Sequence, residues 1–147
     1  RSYIGMGIVF RLRGSYPQAR SSLIRGLRAA KRFSIRPLVA AAYHELAVLS
    51  IDAAKGAEAF RYAGHAVDAY GPGHVRLPAL AHDFAVFLMG EGHHDQALRT
   101  FRAFPHNYGG PSERLALAVS TARAAGAVRD VATFEKAWED AHSLLSS

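Results

Sequence analysis

The sequence predicts an all-α fold in which antiparallel helix hairpins stack along a solenoid. Three observations lead there. Apolar residues recur at helical spacing in eight segments, and nothing alternates in the two-residue rhythm of a strand. A pair of small residues twelve positions apart recurs: Gly7/Ala19, Ala47/Ala59, Ala85/Ala97 and, less cleanly, Val119/Val131. Chain breakers such as Gly14 and Gly92 fall midway between the members of a pair.

The elements follow in order. The first helix is expected over 2–13 and the second over 16–31. Gly14 ends the first. Ser15 with Gln18 three residues on reads as a capping box, and Pro17 suits a first turn, where a missing N–H costs nothing. Gly7 faces Ala19 so that the two backbones approach closely, with Tyr3, Met6, Phe10, Leu23 and Leu27 filling the space around them. Ser34 can cap a third helix that opens near Pro37 and runs to about 54. Tyr43, Leu46 and Ala63 surround its Ala47/Ala59 pair. A fourth helix over 57–70 stops at Gly71-Pro72-Gly73, the strongest break in the chain. The fifth, 76–90, has Pro78 in its opening turn, and Gly90-Glu91-Gly92 leads to a sixth over 94–104. Phe84, Leu88 and Phe101 pack around Ala85/Ala97. Pro105 stops that helix, a loop is expected over 106–111, and Ser112 can cap a seventh helix to 125. The eighth, 128–145, carries the stripe Phe134, Trp138, Ala141, Leu145, read as the buried face of a terminal helix.

The run Tyr3, Met6, Gly7, Phe10, then Ala19 and Leu23, resembles a tetratricopeptide repeat, whose pattern is W-x2-L-G-x2-Y followed by A-x3-F. The second and third hairpins match less fully and the fourth weakly. The resemblance covers nearly the whole chain. It implies a right-handed superhelical solenoid of about four hairpins in one domain, residues 1–147, that binds a protein or peptide in its concave groove. An alternative it also implies is the helical sensing or dimerisation half of a bacterial transcription regulator. Members that clasp chaperone tails use Lys, Asn and Arg where this chain has Ile4, Ile8, Ala79 and Asp83, so that mode is not implied.

Composition narrows the classes. Half of the 147 residues are hydrophobic, many of them alanine, which suits close helix packing. No cysteine is present, which fits a reducing compartment such as the cytoplasm. No run of about 18 apolar residues suggests a membrane span. The absence of an initiator Met reads as a piece of a larger protein, and the uncovered face of the first hairpin as a contact for a further part of that protein or for a second copy. Net charge is +6, with eight Arg and one Lys before the first acid at Glu45. No aromatic residues interleave with these arginines in the manner of a stacking platform, so a solvated surface is expected there and nucleic-acid binding is not.

No phosphate-binding, dinucleotide, nucleophile-elbow or HExxH motif occurs, and neither enzyme activity nor a cofactor is expected. His93-His94-Asp95 is the densest histidine cluster, but adjacent helical residues point about 100° apart, so no metal site is expected. One constellation remains. Superposing hairpins by the twelve-residue rule sets His44-Glu45 level with His82-Asp83, each followed by a valine, Val48 and Val86. The resemblance puts these on the groove-lining helices, with Asp52, Met89, Ser120 and Arg123 further along. The expected site is thus a row of two imidazoles beside an apolar strip.

Overall fold

In a computed structural model of the chain, residues 2–105 and 107–146 are described. Among them are eight α-helices and no strand: α1 (Tyr3–Leu12), α2 (Tyr16–Arg32), α3 (Arg36–Asp52), α4 (Gly56–Tyr70), α5 (Leu77–Gly90), α6 (His94–Arg102), α7 (Pro111–Ala127) and α8 (Val131–Ser146). The start of the expected loop at His106 lies outside the described residues, as do Arg1 and Ser147. No helix among the described residues is long and apolar enough to cross a membrane. The chain divides into two compact units, Arg1–Leu77 and Pro78–Ser147.

One turn recurs at five junctions: α1/α2, α2/α3, α3/α4, α5/α6 and α7/α8. In each, a single residue takes a left-handed conformation: Gly14, Ser34, Ala54, Gly92 and Arg129, with φ between 56° and 88°. The next residue donates its N–H to a carbonyl five positions back, in the pairs Ser15 to Phe10, Ile35 to Ala30, Lys55 to Ser50, His93 to Leu88 and Asp130 to Ala125, all at 2.8–2.9 Å. The left-handed residue itself donates three positions back, Gly14 to Arg11 for example. This double bond pattern satisfies the orphan carbonyls of one helix while reversing the chain into the next. It also explains a difference from the sequence reading. Ser15 forms no side-chain cap and Ser34 is the left-handed residue itself, because the backbone makes these junctions. At α7 the cap position is Gly110, whose N–H donates to the Glu113 carboxylate at 3.0 Å, with Pro111 opening the helix ahead of Ser112.

In the first unit, α1 packs on α2, α2 on α3, α3 on α4, and α1 also on α3. Small residues set the contacts: Ala19, Ala40, Ala42, Ala47, Ala59 and Ala66 are fully buried, with Leu23 and Leu46 as the largest sealed side chains. A Cβ built on Gly7 would fall 2.5 Å from Cγ of Leu23, so only glycine allows α1 this close to α2. In the second unit, Ala85 and Met89 of α5, Ala97, Leu98 and Phe101 of α6, and Ala124 and Ala125 of α7 form one core. The helix α8 packs on α7.

The fourth hairpin departs from the expected register. Its left-handed residue is Arg129, three positions beyond Gly126, so Ala122 stands where Gly7, Ala47 and Ala85 stand in the other hairpins. Val119 and Val131 are exposed instead of paired. The expected stripe on α8 shifts with it. Ala137 and Ala141 are buried, whereas Phe134 and Leu145 are exposed and Trp138 is 60% exposed. Alanines permit the close approach to α7, while the Phe134 ring lies over Gly126 and stacks on Trp138 at 6.1 Å.

The left-handed junctions make a stability prediction. Ala54 holds a φ of 57° at an exposed position, so its Cβ strains the backbone without packing on anything. Ala54→Gly is expected to raise unfolding free energy by up to about 1 kcal/mol, and Gly92→Ala to lower it by about as much. Urea denaturation of the two variants checks the signs.

Candidate functional site

Within the first unit, α3 carries four of the expected site residues. His44 is 3% exposed. Its Nδ1 lies 2.9 Å from the Tyr70 hydroxyl, and the two rings meet edge-on. Burial pushes the Tyr70 phenol above its ordinary pKa, against the pull of Arg76. The imidazole is therefore part of the core, and His44 is not a solvent-facing ligand as the hairpin alignment expected. Its neighbours on α3 behave differently. Glu45 and Asp52 are two turns apart on one face, with half-buried Val48 between them. Both carboxylates meet Arg11 of α1: Asp52 Oδ2 accepts from Nη1 at 2.9 Å and Glu45 Oε2 lies 3.9 Å from Nε. They join α1 to α3.

In the second unit, His82 and Ser120 come together, with Nε2 of the imidazole 3.2 Å from the Ser120 hydroxyl. The His82 ring also packs against Phe101 and Phe104, at 5.6 and 6.4 Å between centroids. Ser120 is buried, and Met89 belongs to the core described above. Asp83 is half-buried, and Val86 and Arg123 are exposed. Each expected histidine thus has its own hydrogen-bond partner, half-buried Tyr70 for His44 and buried Ser120 for His82, in place of a row of open imidazoles.

The second unit also contains a cavity of about 740 Å³ that the sequence did not announce. Its floor is one face of α7, where Arg114, Leu117, Ala118 and Thr121 recur at helical spacing. One wall is the end of α6 and the chain beyond it: Phe101, Arg102, Phe104, Pro105 and Tyr108. The other wall is α8, through Thr133, Lys136, Ala137, Asp140 and Leu144 among others. His82 stands behind the first wall, because Phe101 and Phe104 are its ring partners. The connection 103–110 takes eight residues where the short junctions take three. The tip of that wall is ordered by Phe104 and Tyr108, whose rings meet edge-on at 4.8 Å.

Charge around the cavity is uneven. Arg102, Arg114 and Lys136 line it against a single acid, Asp140. Arg102 is shared with Asp130, 3.5 Å away. Arg114 and Lys136 are exposed and make no ion pair with a described residue. Asp130 also starts α8: its carboxylate accepts the Thr133 N–H at 3.1 Å and the Thr133 hydroxyl at 2.7 Å. These two bonds, more than Arg102, hold the Asp130 carboxyl below its ordinary pKa. Among the described residues, no three His, Asp or Glu side chains converge as metal ligands do. The arrangement offers apolar burial, aromatic edges and cations, which is the chemistry of binding an apolar group with a negative flank.

The chain matches no family model, no curated protein and no solved structure.

Two predictions come from this geometry. His44→Ala removes core volume and leaves the Tyr70 hydroxyl without its imidazole, so unfolding free energy should fall by about 2–4 kcal/mol in urea denaturation. The second concerns the cap of α8. A depressed carboxylate pKa contributes stability that is complete above the unfolded value and is lost as pH falls through the folded one. Asp130→Ala is therefore expected to lower the thermal midpoint at neutral pH. The gap from the parent should close as pH drops below about 4, the ordinary aspartate range.

Proposed function

We propose that this chain is a non-catalytic interaction module, a tetratricopeptide-like stack of helix hairpins, whose second unit receives a segment of a protein or peptide partner. The cavity walled by α6 and α8 carries this reading. Its volume, about 740 Å³, falls in the range of about 300–1,000 Å³ typical of ligand sites. The recurrence of one turn at every short junction supports a stack of like hairpins, and hence the solenoid. Leu117, Ala118 and Ala137 supply an apolar bed, and Phe104 and Tyr108 an aromatic edge. Arg114 and Lys136 favour a partner that places Asp, Glu or a terminal carboxylate beside its apolar anchor.

Selection from a random peptide library tests this. Enriched peptides are expected to pair Leu, Phe or Trp with nearby acids. Ala132→Trp, at an exposed position on the lining, should obstruct the cavity without touching the core. That variant, and separately the double variant Arg114→Glu with Lys136→Glu, should each weaken binding more than tenfold, which is about 1.4 kcal/mol, at unchanged thermal midpoint. Selected peptides that bind both variants as well as the parent would place the partner elsewhere.

A further inference from the structure

The chain's excess of positive charge lies in the first unit. Residues 1–77 contain twelve Lys and Arg against four acids, while 78–147 contain six against eight. Three of those four acids are already engaged: Glu45 and Asp52 by Arg11, and Glu58 by Arg20. Arg36 is also committed. It donates from Nε and Nη2 to the Ala69 and Asp68 carbonyls at the end of α4, at 2.8 and 3.0 Å. Of the other cations, four lie on α2: Arg25, Arg28, Lys31 and Arg32. Arg25, Arg28 and Arg32 recur at three- and four-residue spacing along one exposed ridge, opposite the face buried by Ala19, Leu23, Gly26 and Ala30. None of them makes an ion pair with a described residue.

The fold brings rings from α3 and α4 beside these cations, in addition to Phe33, which follows Arg32 in the chain. At the end of the ridge, Lys31 sits over the Tyr43 ring at 5.2 Å, and Tyr43 stacks on His65 of α4 at 4.9 Å, the planes 23° apart. These three residues line a shallow cleft of about 480 Å³ with Ser34, Arg36 and Asp68. Next to it, Arg32 lies over Phe33, whose ring is 68% exposed. The exposed residues His65 in the cleft and Phe33 beside it, a cation and hydrogen-bonding oxygens, at the end of an unpaired cationic ridge, match a nucleobase and its phosphates.

We propose that this face of the first unit binds single-stranded nucleic acid. The phosphates run along Arg25, Arg28, Lys31 and Arg32, and one base enters the cleft against the Tyr43–His65 stack, with Asp68 and Ser34 at its edge. A duplex buries its base faces and leaves the stack unused. An anionic membrane neutralises the ridge but has nothing to place in a concave aromatic cleft that also holds a carboxylate. The proposal does not depend on the cavity of the second unit.

Titration of the intact chain with a fluorescent mixed-sequence single-stranded 12-mer tests it. Some four neutralised phosphates give a slope of about −3 in log affinity against log salt, a loss of about fiftyfold between 50 and 200 mM. Arg25→Gln, Arg28→Gln and Arg32→Gln together should lower affinity at least tenfold and flatten the slope to about −1, while the matching triple change to Lys keeps the slope. Lys31→Gln with His65→Ala should weaken the single strand several-fold but leave inorganic polyphosphate less affected, since only a base needs the stack. All substituted positions are exposed, and circular dichroism confirms that each variant is folded. Three results overturn the proposal: equal or tighter binding of the same sequence as a duplex, retention on phosphatidylserine vesicles with no binding of the oligonucleotide, or an affinity that the glutamine triple leaves unchanged.

Discussion

One left-handed residue between consecutive helices is the constraint on which the packing depends. Gly14, Ser34, Ala54, Gly92 and Arg129 each let the chain reverse within three residues, and the next helix starts two positions on. Two helices joined so tightly must lie close along their whole length. Bulky side chains at the crossing would force them apart, which the turn does not permit. The interior is accordingly built of Ala19, Ala47, Ala59, Ala85 and Ala97, with Leu23 and Leu46 sealed between them. Gly7, against Leu23, is the limiting case.

The same constraint explains where binding surfaces form. Helices held this closely leave little room between their facing sides, so polar groups caught there must pair internally. His44 with Tyr70 and His82 with Ser120 are two examples. Open space arises where the turn is abandoned. Between α6 and α7 the chain takes eight residues instead of three, and the cavity of the second unit opens there. The loop is costly to order, and its aromatic contacts, Phe104 with Tyr108 and with His82, offset part of that cost.

Helix number and most boundaries were legible in the sequence because glycine and proline punctuate it at Gly14, Gly71-Pro72-Gly73, Gly92 and Pro111. The fourth hairpin was not. Its left-handed residue is an arginine, and a glycine three positions earlier, Gly126, sits inside α7, where it reads as a break that the fold does not make. The site was less legible than the fold. Hairpin superposition identifies which residues are equivalent, but whether a histidine faces solvent depends on what lies across from it. For His44 that is Tyr70, 26 residues away on α4, and no local pattern signals it. Arg11 with Glu45 and Asp52 shows the same thing: the acids stand in the predicted positions, but a cation 41 residues from Asp52 occupies them.

The distribution of charge carries further than its total. In the first unit the ion pairs are made by Arg11 and Arg20, which lie at helix crossings, and those pairs use up most of the available acid. The ridge of Arg25, Arg28 and Arg32 therefore stabilises nothing by pairing. Like charges three and four residues apart repel by a few tenths of a kcal/mol per pair, and the basic end of α2 regains part of this from the helix dipole only at Lys31 and Arg32. Arg25 and Arg28 sit too far from that end to benefit. A ridge that weakens its own helix while its neighbours Tyr43 and His65 form a π-stacked cleft is better explained by what it contacts than by what it supports. Bound phosphate would remove the repulsion that the fold leaves in place.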